Sequence, residues 1–141
     1  MSAMSNYLEG ELIKHIFRTG SFTKPSVLAI ALVTTGVTDS ETGSTIAEGT
    51  NANNYARQTL NPSDSNWAAP AAGNGLTDNL SAITFPQASG SWGTVVGVAI
   101  LDSATHGAGN VLFYGTLAVS KSINNGDTFS FAIGDLDVTL A

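Results

Sequence analysis

The apolar residues of this chain change their period once, at Pro25, and that change limits the fold more than any other feature. Before it, "NYLEGELIKHIFR" (6–18) places Leu8, Leu12 and Ile16 on one stripe, which Ile13 and Phe17 widen. This is the 3.6-residue spacing of an amphipathic helix. After it, "SVLAIALVTT" (26–35) alternates Val27, Ala29, Ala31 and Val33 with Leu28, Ile30 and Leu32. Both faces are apolar, so the segment reads as a central strand covered on two sides.

Asn6 is placed to cap the helix, with Glu9 closing a capping box. Lys14 and Arg18 suit the negative end of its dipole, and Gly20 stops it. So short a helix is marginal alone, so its stripe must dock, on its own chain or on a neighbouring subunit.

The remaining segments alternate strand patterns with turn residues. "NYARQTL" (54–60) sends Tyr55, Arg57 and Thr59 one way and Ala56, Gln58 and Leu60 the other. "NLSAITFP" (79–86), "SWGTVVGVAILDS" (91–103), "NVLFYGTLAVSKSI" (110–123, one or two strands broken near Gly115), "DTFSFAI" (127–133) and "DLDVTLA" (135–141) complete the set. Gly97 inside the longest of these predicts a bulge or a close backbone approach. Residues 36–53 and 61–75 read as long surface loops, the second anchored by Trp67. At "INNGDTF" the apolar sets Leu117, Val119, Ile123 and Phe129, Phe131, Ile133 share a face only if 123 pairs with 127 and 121 with 129. That predicts a type I turn with a left-handed Gly126, and Lys121 lying over Phe129. The expected fold is all-β: one domain over 1–141, an antiparallel sandwich or jelly roll of seven or eight strands (21–141) carrying an N-terminal helical segment (1–20).

Charge narrows the partners. Charged residues are only 11% of the chain, about half the usual share. The surface must then be neutral and polar, or covered by other molecules. Lys14, Arg18 and Lys24 outnumber Glu9 and Glu11 in residues 1–25, whereas residues 26–141 set only Arg57 and Lys121 against nine acids. So acidic a body repels phosphate, and no basic stripe is interleaved with aromatics, which argues against nucleic acid. Cysteine is absent, which excludes disulfides and thiolate chemistry. The polar "MSAMSNYLEGELIK" does not resemble a signal peptide, and the run Val95 to Leu101 is too short to span a bilayer.

Two places invite a chemical reading. Asp102 closes an apolar strand and His106 follows four residues on. Asp is favoured at such corners because its side chain caps the turn's own amides, and the two His, 15 and 106, show no metal-ligand spacing. The stretch reads as a buried strand rounding a corner. No nucleophile elbow, phosphate loop or carboxylate pair occurs, so no catalytic, cofactor or metal residue is assigned. Arg57, the sole cation between Lys24 and Lys121, either pairs with a local acid such as Asp102 or makes a bidentate contact to another subunit.

"MSNYLEGELIKHIFR", "NYARQ", "AITFP", "WGTVVGVAILD", "NVLFYGTLAVSKSINNGDTFSF" and "GDLDVTL", in this order, resemble a family of small virion proteins of tailed bacteriophages, whose members are labelled structural or tail-fibre proteins. Some are similar to the cement (decoration) proteins that sit on HK97-type capsids with jelly-roll folds. The resemblance implies a non-enzymatic protein made in the host cytoplasm and carried on the virion. Its expected role is to bridge major capsid subunits on the capsid exterior; the alternative is a tail or fibre component, one that touches the host surface. Low surface charge and the apolar stripe of the terminal helix lead to the expectation of a homo-oligomer, dimer or trimer, with no nucleic-acid or membrane partner. The expected contact residues are Leu12, Lys14, Ile16, Arg18 and Arg57.

Overall fold

A computed structural model describes residues 2–140. The strand that is apolar on both faces is an inner strand of its main sheet. The elements in chain order are β1 (Ser2–Met4), α1 (Asn6–Phe17), β2 (Ala29–Val33), β3 (Gln58–Thr59), β4 (Leu76–Thr77), β5 (Ile83–Thr84), β6 (Gly93–Leu101), β7 (Val111–Ile123), β8 (Ser130–Phe131) and β9 (Val138–Thr139). All five residues of β2 are buried, as the uninterrupted apolar run requires. β2 pairs antiparallel with β6 from Ala29↔Leu101 to Val33↔Gly97. The sheet has the order β1-β7-β6-β2-β3, and two short antiparallel ladders, β4–β9 and β5–β8, form beside it.

One face of β2 and β6 presents Ile30, Leu32, Val98 and Ile100 to Ile83, Phe85, Phe129, Phe131 and Val138 of the ladder side, which makes the main core. The other face presents Ala31, Val33, Ala99 and Leu101 to Ile46 and Val111. The class is therefore the all-β, antiparallel one that the alternation indicates, with a single short helix.

Gly97 sits where the ladder slips. Val95 pairs with Lys121 and Gly97 with Thr116, so residues 117–120 of β7 oppose Val96 alone and arch outward. A Cβ on Gly97 would lie 2.6 Å from the Gly115 carbonyl oxygen, so only glycine allows the strands this close.

Four expectations need correction. The residues before the helix are not an appendage: β1 pairs with β7, from Ser2↔Gly115 to Met4↔Phe113. The cap is Ser5, not Asn6: its hydroxyl accepts from the Leu8 amide (3.2 Å) and donates to the Val111 carbonyl, and with the cap one residue earlier Glu9 cannot close the box. The helix stops at Phe17, ahead of Gly20. The 124–127 turn forms, with the Asp127 amide bonding the Asn124 carbonyl (3.0 Å) and Gly126 at φ 89°, but no hairpin follows. Lys121 pairs with Val95, and β8 crosses to β5, pairing Phe131 with Ile83. Ile123, Phe129 and Phe131 still meet in the core, through two layers and not across one ladder.

Candidate assembly surface

Arg57 is buried, and its five donor hydrogens all find acceptors in its own chain. Nε and one terminal nitrogen bond the two oxygens of Glu48 (2.8 and 2.7 Å). The other terminal nitrogen bonds the carbonyls of Ser103 (2.8 Å) and Ala108 (2.9 Å), and a longer bond reaches Gly43 (3.4 Å). The side chains of Arg57 and Glu48 are 0% and 2% exposed. Tyr55, on the same face as Arg57, donates its hydroxyl to Glu48 (2.8 Å) and accepts from the Leu32 amide (3.0 Å). Desolvating an ion pair is costly, and this geometry offsets the cost by engaging every donor. The guanidinium ties together loop 36–53, the 103–108 corner and the extended segment 55–57 that leads into β3. The Arg57 side chain is 0% exposed and its donors are taken up within the chain, which leaves none for a contact to another subunit; its partner is Glu48, not Asp102.

Glu48 escaped the sequence reading because it lies in a segment without apolar period. A cation placed mid-strand among apolar residues signals that a nearby carboxylate must follow it inside, and Glu48 lies nine positions away. Loop 36–53 folds accordingly onto the sheet: Val33 bridges to Glu48, and the Gly49 amide bonds the Leu32 carbonyl (3.2 Å).

Asp102 and His106 do not meet as a pair. The Asp102 carboxylate accepts from the amide (2.7 Å) and side chain (2.8 Å) of Asn110, closing the corner after β6. His106 directs Nε2 at the Gly49 carbonyl (2.9 Å) and packs edge-on to Tyr55. Both groups are occupied in holding loops. Among the described residues no group of three or more His, Asp or Glu is placed to hold a metal ion.

Of the other four expected contact residues, Leu12, Lys14 and Ile16 lie on α1 and Arg18 is its C-cap. Only Leu8 of its stripe is buried, and Leu12 is half-buried. Ile13, Ile16 and Phe17 are 55%, 66% and 78% exposed. With Met4 and Glu9 they line an open apolar groove of about 260 Å³. Lys14 is exposed and holds Glu11 at 2.8 Å, and that carboxylate raises the ammonium's pKa above its ordinary value. Arg18 ends the helix, exposed. A helix anchored by its first turn thus carries a bare apolar face flanked by cations into solvent.

The sequence matches the family model described as "Podophage GP4 fiber I protein gp80" over residues 3–139. No curated protein matches the chain. No helix among the described residues is long and apolar enough to cross a membrane.

Proposed function

The chain belongs to that podophage fibre-protein family, a family of phage virion structural proteins, and from this premise we propose that it is a structural subunit of the fibre apparatus, held in the assembly through α1. One observation carries the reading. Of the eight large apolar residues left exposed among the described residues, four (Tyr7, Ile13, Ile16 and Phe17) lie on this one short helix. An apolar patch so concentrated and flanked by charge marks a contact surface. Elsewhere the charged and polar clusters are engaged in holding loops: among the described residues every buried side-chain nitrogen and oxygen has a hydrogen-bond partner.

The family description favours the fibre over the capsid shell as the place of assembly. Particle reconstruction, or gold labelling of an exposed epitope, tests this. Label confined to the tail supports the fibre role. Label spread over the shell overturns it in favour of a cement role. The double variant Ile13→Ser/Ile16→Ser should fold normally and fail to enter the particle.

A further inference from the structure

We propose that α1 of one copy docks head to tail in a second groove, on the body of another copy. This takes α1 as the assembly face, the reading above, and names what covers it. The second groove, of about 190 Å³, opens between β6–β7 and the 131–138 segment. Val98, Ile100, Phe113 and Leu136 contribute apolar walls, and Asp135 and Asp137 lie among its lining residues. None of the residues lining it belongs to α1. Its volume exceeds the roughly 150 Å³ of an apolar cavity that accepts a benzene ring, so it admits the ring of Phe17.

The two surfaces complement each other in both respects. The helix offers Ile13, Ile16 and Phe17 with Lys14 and Arg18 alongside, and the groove offers an apolar lining with two carboxylates. Charge selects this pairing over others. Arg57 is enclosed with Glu48, so Lys14, Arg18 and Lys24 are three of the four remaining Lys and Arg residues. Against Glu9 and Glu11 they leave residues 1–25 one charge positive, while the body is acidic. Lys14 is held by Glu11, and Arg18 is free of any ion pair among the described residues. Copies meeting body to body repel, and copies meeting helix to body attract. The two patches are different surfaces, so the contact is heterologous and propagates to a ring or a linear array.

The chain lacks cysteine, so introduced thiols report a single contact. Ile16→Cys and Ala118→Cys, the latter at an exposed position lining the groove, are mixed and oxidised. The expected product is the mixed disulfide dimer, far in excess of either self-dimer. Self-dimers of Ile16→Cys alone in equal yield would mean two-fold helix pairing and overturn the proposal, as would no crosslink at all. In sedimentation, Arg18→Asp and Asp137→Arg should each weaken self-association roughly five- to tenfold. An equimolar mixture of the two should restore it, because each resulting contact again joins opposite charges. Asp137 is chosen because Asp135 holds the Ala132 amide (3.0 Å) and so shapes its turn. Failure of both arms while the label stays on the tail refutes the groove alone. Label on the shell refutes the fibre role alone.

Discussion

At the scale of single residues, the Arg57–Glu48 pair has the largest local effect. Removing the guanidinium leaves a carboxylate that is 2% exposed without its permanent cation, His106 Nε2 lying 3.8 Å away. Arg57→Met should therefore cost about 3–5 kcal/mol in urea denaturation, whereas Arg57→Met/Glu48→Leu should cost clearly less than the two single changes together. Tyr55 links this cluster to alkaline pH. Burial, and then the Glu48 charge, push its phenol far above the ordinary value. The unfolded chain ionises Tyr55 near pH ~10 while the folded chain keeps it neutral. The contribution of Tyr55 is thus fully present below pH ~10 and declines above it. The stability difference between the native chain and Tyr55→Phe should shrink by up to about 1.4 kcal/mol per pH unit above that point, measured by denaturation at stepped pH. Arg57 and Tyr55 were legible as sharing a face. Glu48 was not, because what brings it inside is a fold-back of residues 36–53 that no local periodicity records.

At the scale of elements, legibility followed the strength of the local signal. β2, β6 and α1 each carry a long apolar pattern of one period, and each lies where that pattern puts it. β3, β5, β8 and β9 are two residues long, within segments that alternate for longer. Alternation says which side faces the core, and hydrogen-bond partners decide how much of it becomes a ladder. The turn at 124–127 shows the same division: its shape is local and was legible, but the partner of β8 lies at Ile83 and was not. Gly97 gives the element-scale test. A methyl group there meets the Gly115 oxygen at 2.6 Å, so Gly97→Ala should cost about 1–3 kcal/mol and flatten the β7 arch, read by denaturation and by amide exchange at 116–121. Ser5→Ala should cost about 1–2 kcal/mol and fray the first turn of α1, since it removes both the cap and the bond to Val111.

At the scale of the whole molecule, the apolar face of α1 governs association. The helix was legible from sequence; that its stripe would stay bare beyond Leu12 was not, because periodicity gives the direction of a face and not its partner. Ile13→Ser/Ile16→Ser should leave thermal stability within about 0.5 kcal/mol, as for exposed sites generally, and abolish the concentration dependence of sedimentation. The pairing of β2 with β6 governs something different, the time the chain takes to fold. Residue 29 must find residue 101, and everything between them has to be closed into a loop first. Such wiring places refolding in the range of milliseconds to seconds, measurable by stopped-flow fluorescence of Trp92 in the core. On the ribosome it means that "AIALV" emerges long before its mate. A run of chain apolar on both faces therefore waits unpaired while most of the protein is still being made.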